Sequence, residues 1–242
     1  MLAGVTVTER QALVDAKRAL AFSFESGTNL CDPFLSVVPV TGAAVSVLAI
    51  PSAQSTVCAS DGMAAHLDEL QFDLGEGPCW EALAARRPAL HGDLQGEVAP
   101  LWPAFSAAVR DDEVGAMYAF PLVLGSLEIG AIDLYSTTSG RLTRGQVTDT
   151  VALTQVAAWQ VLRRILADAE TGEGGSASSR REIHQATGMV LAQLDIAAHD
   201  ALLLLRAHAF STGRSVREVA NDVVERRLSF TPEPQSQDDT RE

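Results

Sequence analysis

Lysine is all but missing from this chain: Lys17 is the only one in 242 residues, and 18 basic side chains stand against 31 acidic ones, a net charge of −13. Such a balance excludes a generic nucleic-acid binder working through long-range attraction to phosphate. Cysteine is equally scarce. Cys31, Cys58 and Cys79 are odd in number and widely spaced, with no CxxC pair, which excludes a disulfide-dense scaffold and a thiolate zinc site. In a reducing cytosol the expectation is three buried free thiols. No run reaches the roughly 18 apolar residues of a membrane helix. The N-terminus also lacks the basic-then-apolar pattern of a secretion signal. The expectation is therefore a soluble, cytoplasmic protein without a membrane partner. His66, His91, His184, His199 and His208 show no ligand spacing, and GxxxxGKS, GxGxxG and GxSxG are all absent. No metal centre, nucleotide hydrolysis or dinucleotide binding is expected, and the chain does not read as an enzyme.

Apolar residues, by contrast, make up 47% of the chain, enough for a substantial core. Thr6-x-x-Glu9 opens a first helix as a capping box. Residues 27–39 read as loop, residues 43–50 as a buried strand and residues 55–60 as its partner. Asp61 caps a helix through Leu70. A glycine-bounded turn over residues 72–80 follows, and Pro78 in it starts a helix through Ala85. Residues 88–94 read as a short strand and residues 102–110 as a short helix. The clearest hairpin joins residues 117–124 to residues 127–135 through Gly125-Ser126. Thr143-x-x-Gln146 then caps a helix reaching about Ala169. Along it Val147, Val151, Thr154, Ala158, Val161 and Ile165 keep a coiled-coil-like spacing, and Leu153, Val156, Ala157 and Leu162 form a second apolar side. A helix apolar on two sides packs on its own sheet with one and on another helix with the other, and a homodimer through residues 143–169 is the economical partner. The alternative is a helix buried within one subunit.

Residues 170–178 form a Gly/Ser linker, and residues 231–242, rich in Pro, Gln and Asp, are expected to be disordered. Between them lie three short helices. The first opens at Ser179-x-x-Glu182 and turns Ile183, Ala186, Val190, Leu191 and Leu194 inward. Asp195 ends it and caps the second, which buries Ala201, Leu202, Leu205 and Ala209 and stops at Gly213. Ser215-x-x-Glu218 opens the third, with Val216, Val219, Ala220, Val223 and Leu228 inward. Acidity is uneven: residues 1–178 carry −11, residues 179–230 carry +1 and the tail −3.

The run from Ile183 to Val190, with Asp200-Ala201-Leu202, Leu205-Arg206, Ala209 and Glu218-Val219-Ala220, resembles an ANTAR domain. The resemblance implies a three-helix RNA-binding output that recognises paired hairpins in leader transcripts and prevents transcription termination. RNA contacts are then expected from Gln185, Thr187, Gly188 and Gln193 on the first helix, Arg206 and His208 on the second, and Arg214 and Arg217 at the third. Thr187 stands where many ANTAR domains have lysine, which removes a phosphate contact. Gly188 costs about 1 kcal/mol relative to alanine in a helix interior. Close packing of another helix is one reason for such a residue, approach of an RNA backbone the other.

The order of elements over residues 8–169, with Gly75-Glu76-Gly77-Pro78-Cys79, Trp102-Pro103-Ala104-Phe105 and the hairpin, resembles a GAF domain, a small-molecule sensing fold. The implied fold class is α+β: an antiparallel sheet flanked by helices at 8–169, a linker at 170–178, the three-helix module at 179–230 and a tail at 231–242. Phe72, Cys79, Trp80, Trp102, Phe105, Tyr118 and Asp133 are the candidates to line a ligand pocket. The implied function is a signal-responsive antitermination regulator, with no specific DNA binding. Two other readings stand beside it: a protein-interaction switch whose helical module binds a protein, and a GAF-type free methionine sulfoxide reductase using the three cysteines. Cys79, near a helix N-terminus where a thiol pKa falls, is also a candidate redox sensor.

Overall fold

The computed structural model describes residues 7–50, 54–94, 96, 102–171 and 180–231. It divides into two compact units, Met1–Arg180 and Arg181–Glu242.

The first unit is built on a five-stranded sheet in the order β2-β1-β5-β4-β3, antiparallel at every pairing. Its strands are β1 (Gly42–Val47), β2 (Ser55–Ala59), β3 (Ala89–His91), β4 (Ala116–Leu124) and β5 (Leu127–Ser136). The β4–β5 hairpin turns at Gly125-Ser126, with Gly125 at φ +60°, the left-handed conformation that glycine adopts without strain. Pro121 is tolerated in β4 because β3 pairs only with residues 117–119, leaving that edge without need of a donor.

Helices cover both faces. On one lie α1 (Val7–Ala21), the short α2 (Ser23–Ser26) and α3 (Asp32–Leu35), and the long α7 (Arg144–Thr171). They enclose Leu20, Phe34, Val45, Phe120, Ile132, Leu134, Leu153, Ala158 and Val161. On the other lie α4 (Gly62–Leu74), α5 (Pro78–Ala85) and α6 (Pro103–Ala108), over Ala44, Leu67, Trp102, Phe105, Met117 and Tyr135. Asp61 caps α4 through Ala64, and Thr143 and Gln146 exchange backbone and side-chain bonds at the start of α7.

Three expectations are corrected here. Residues 27–39 hold the one-turn helix α3 where a loop was expected. Cys31 and Cys58 are disulfide-bonded, with Cα atoms 6.3 Å apart and a sequence separation of 27, where free thiols were expected. The fold carries the start of α3 to edge strand β2, a meeting that sequence spacing does not reveal. Most of the seam on α7 also faces inward: Thr154, Ala158 and Val161 are buried on the unit's own sheet, and so are Leu153 and Ala157 of the second side, while the seam residue Val151 joins Trp159 and Leu166 in an exposed apolar stripe. Thr6, start of the first capping box, lies outside the described residues.

The second unit is three helices, α8 (Arg181–Leu194), α9 (Ala198–Thr212) and α10 (Val216–Val224). Ile183, Ala186 and Val190 pack with Ala201, Leu205 and Ala209 and with Val216, Val219, Ala220 and Val223, all buried. The Ser215/Glu218 capping box forms in full, and Gly213 ends α9 at φ +65°. Asp195 ends α8 in a left-handed conformation, as expected, but does not cap α9: that position is Ala197, with no side-chain cap. Ser179, the linker after Thr171 and the tail after Thr231 lie outside the described residues.

Candidate functional sites

On the α4 side of the sheet the core is interrupted by polar groups. Helix α4 places Asp68 and Gln71 on the same buried face as Ala64, Leu67 and Phe72. Asp68 accepts from Ser46 Oγ at 2.5 Å through Oδ1 and from Thr56 Oγ1 at 2.5 Å through Oδ2. Gln71 bridges the interior: its Nε2 donates to Asp133 Oδ2 at 3.0 Å, its Oε1 accepts from Cys79 N at 2.8 Å, and its carbonyl accepts from Trp80 Nε1 at 2.7 Å. Gly77, at φ +130°, is needed where it stands, since a Cβ there would lie 2.6 Å from the Gln71 side chain.

Into this cluster comes Arg180, whose side chain is fully buried. Its Nη2 pairs with Asp68 Oδ2 at 3.1 Å, its guanidinium lies 3.9 Å over the Phe72 ring, and its backbone N–H donates to Gln54 O at 3.2 Å. The first unit ends at Arg180, a residue that the range 179–230 read from the sequence counts with the helical module.

Burial, and then the Asp68 charge, hold the Asp133 carboxyl well above the ordinary carboxylate range, against a smaller pull from Gln71. The Cys79 thiol is also pushed well up, by burial and then by Asp133 and Asp68. The expectation of a lowered, reactive thiol is therefore reversed. Cys79 does begin α5 behind Pro78, but a helix N-terminus without solvent and beside two carboxyls does not favour a thiolate.

Of the pocket candidates, Phe72, Cys79, Trp80 and Asp133 gather around Gln71. Trp102 and Phe105 form an adjoining group with their rings 5.5 Å apart; Trp102 Nε1 and His91 Nε2 both meet Glu81 Oε2, at 3.2 and 2.9 Å, and Phe105 N donates to Glu76 Oε1 at 2.8 Å. Tyr118 is not brought to either group. It packs into the α1/α7 face of the sheet and donates its hydroxyl to Gly140 O at 2.8 Å. Strand alternation accounts for this: Asp133 pairs with Ala119, so its neighbour Tyr118 points the other way. Sequence reasoning missed Ser46, Thr56, Asp68, Gln71 and Arg180. The available signal was Asp68 and Gln71 at core positions of an otherwise apolar helix face.

In the helical unit, Gln185 and Gly188 lie exposed along α8, in one stripe with Arg181 and Ala192. A Cβ on Gly188 would meet nothing within 4 Å among the described residues, so helix packing is not its reason. Thr187 is half-buried and turns its hydroxyl back onto Ile183 O at 2.7 Å. Arg217 of α10 reaches Glu182 at the start of α8 at 3.9 Å, close to the Gln185 end of the stripe. The other candidates serve the fold. Gln193 Oε1 accepts from Phe230 N at 3.0 Å, and His208 meets the Phe230 ring edge-on at 5.6 Å. Arg214 pairs with Asp222 at 2.7 Å and Arg206 is half-buried and engaged. Asp222 is thus held by Arg214 and Arg227. Among the described residues no three His, Cys, Asp or Glu side chains converge on a metal site.

The three helices lie in the part of the chain for which the comparison against protein families finds a match. Residues 176–224 match the ANTAR domain family. No curated protein matches the chain. Among solved structures the first unit has the fold of GAF domains: that of a phosphoenolpyruvate-protein phosphotransferase from Coxiella burnetii superposes with a TM-score of 0.53 at 11% identity, covering 68% of this chain and 99% of that one. A GAF domain of an Acinetobacter phosphoenolpyruvate-protein phosphotransferase gives 0.46 at 8% identity, over 64% and 97%. The free methionine-R-sulfoxide reductase of Neisseria meningitidis gives 0.48 at 12%, over 66% and 93%. The first unit thus has a GAF fold, and the ANTAR match lies on the C-terminal part of the chain. Among the described residues no single helix is long and apolar enough to cross a membrane.

Proposed function

We propose that this chain is a signal-responsive, RNA-binding regulator of transcription antitermination, in which the GAF-fold unit is the sensor and the ANTAR module binds paired hairpins in leader transcripts. The ANTAR match over residues 176–224 carries the reading. The Gly188 stripe supports it, because a mid-helix glycine with open space around it gives up about 1 kcal/mol of helix stability for no internal gain. Such a stripe lets a sugar-phosphate backbone approach the helix closely, with Gln185 and Arg181 beside it as donors. With the module near neutrality, the contact is short-ranged and directed by RNA shape. A homodimer presents two modules, and a transcript with two hairpins engages both, so the second contact gains from effective concentration. The dimer face we assign is the exposed α7 stripe of Val151, Trp159 and Leu166.

Titration of the full chain with labelled RNA carrying two short hairpins or one tests this across a salt series. Tight, salt-dependent binding with a two-hairpin preference is expected. A second reading is favoured by a specific observation: Leu203 and Phe210 on α9 are 56% and 69% exposed, an apolar surface suited to a protein partner. RNA titration without binding, in the presence of an intact dimer, supports that reading instead. The reductase reading lacks such support, since Cys31 and Cys58 pack with the α1/α7 face whereas Cys79 lies among the α4-side polar groups.

A further inference from the structure

A guanidinium closed inside a protein core is costly unless the surrounding groups are built to receive it. Arg180 has such a setting. Asp68 supplies the carboxylate, and Ser46 and Thr56 donate to its two oxygens and fix its plane. Phe72 supplies an aromatic face at 3.9 Å, the distance at which a planar cation stacks. The fit is nonetheless incomplete. Arg180 Nε and Nη1, and Asp133 Oδ1, all buried, have no hydrogen-bond partner among the described residues. A side chain reaching in from the main chain therefore uses only part of what the site offers. The polar groups are also more numerous than a structural ion pair needs: carboxyls Asp68 and Asp133, amide Gln71 and two hydroxyls meet inside one face of a sensory fold.

We propose that the α4 side of this sheet is a receptor site for a small molecule bearing a guanidinium or amidinium group, and that Arg180 occupies it as a tethered competitor. The proposal rests on reading the GAF-fold unit as the sensor, and it names the class of signal. A free ligand is not bound by the geometry of the chain, so it can satisfy Asp133 as well as Asp68. Arg180 is the residue directly before Arg181, the first of α8. Its displacement frees the main chain at the start of α8, and the Arg180 N–H bond to Gln54 O goes with it. Competition by the tether weakens apparent ligand affinity by the fraction of molecules in which the site is open.

Methylguanidinium, with urea as its neutral planar counterpart, is the probe. Calorimetric titration of the full chain is expected to show methylguanidinium binding to Arg180→Ala at least about tenfold more tightly than to the unsubstituted protein. Binding should be lost when Asp68→Asn is added, and urea should bind neither. No binding to Arg180→Ala, equal affinity with and without Arg180, or binding that survives Asp68→Asn would each overturn the proposal. Should Arg180→Ala fail to fold, the unsubstituted protein still decides. Its Arg180 Nε proton should exchange slowly with water and lose that protection at saturating methylguanidinium; protection retained at saturation rejects the competition. These readouts contain no RNA. Methylguanidinium binding without RNA binding keeps this inference and rejects antitermination, and the reverse result rejects this inference alone.

Discussion

Asp133 and Gly188 are the residues whose settings make the sharpest demands. Asp133 shares its interior with Asp68, Arg180 and Cys79, and burial followed by the Asp68 charge holds its carboxyl well above the usual range. Folding at this site therefore favours the protonated form. Stability from it is complete below the unfolded value of about 3.9 and is lost as pH rises through the raised folded value. Asparagine keeps an oxygen to accept from Gln71 and carries no charge. Asp133→Asn is expected to match the parent in urea-unfolding midpoint below about pH 4 and to exceed it increasingly at higher pH. A gap that narrows as pH rises contradicts the account. Gly188→Ala has opposite expected effects on fold and function. With nothing near the added methyl, it should raise stability by about 1 kcal/mol, while RNA affinity falls because the methyl stands on the contact stripe. Unchanged RNA affinity in the stabilised variant would remove the functional reason for the glycine.

Among the elements, α7 shows where sequence and structure part. Its capping residues, length and two apolar sides were all readable, because they follow from local chemistry and helical period. That both sides turn into the same unit was not, since the 4-3 spacing that marks a coiled-coil seam also marks any helix laid on a sheet. The sheet took Thr154, Ala158 and Val161, leaving Val151, Trp159 and Leu166 outside. Trp159→Glu with Leu166→Glu is expected to yield a folded monomer in sedimentation velocity, whereas Ala158→Glu, which buries an unpaired charge, should destabilise the fold by about 3 kcal/mol or more. A double variant that remains dimeric contradicts the assigned face. The same limit hid the polar cluster. The hairpin, the Asp61 cap, Pro78 at the head of α5 and the Ser215/Glu218 box are local signals and were legible. The meeting of Ser46, Thr56, Asp68 and Arg180 spans sequence separations up to 134 between its members and is made only by the fold. Cys31 and Cys58 belong to this class too. Their bridge closes a loop with a 27-residue separation, so reduction should cost about 2–4 kcal/mol. Unfolding with and without reductant measures it, and coincident curves would show that the bridge contributes nothing.

At the scale of the molecule, acidity is concentrated in the first unit and the tail, and the module read as RNA-binding is close to neutral. Several of its arginines are also committed: Arg214 and Arg227 hold Asp222, and Arg217 reaches Glu182. On the proposed reading, affinity comes from a few close contacts repeated on two modules. The dependence on salt should be shallow per module and near doubled for a two-hairpin RNA, since each neutralised phosphate contributes its own increment to the slope. The most direct test is a fluorescence titration of the whole chain with one-hairpin and two-hairpin RNA across a salt series. The account predicts a two-hairpin affinity at least about a hundredfold tighter, with the steeper salt slope. Equal affinity for the two RNAs, or no binding at low salt, contradicts it.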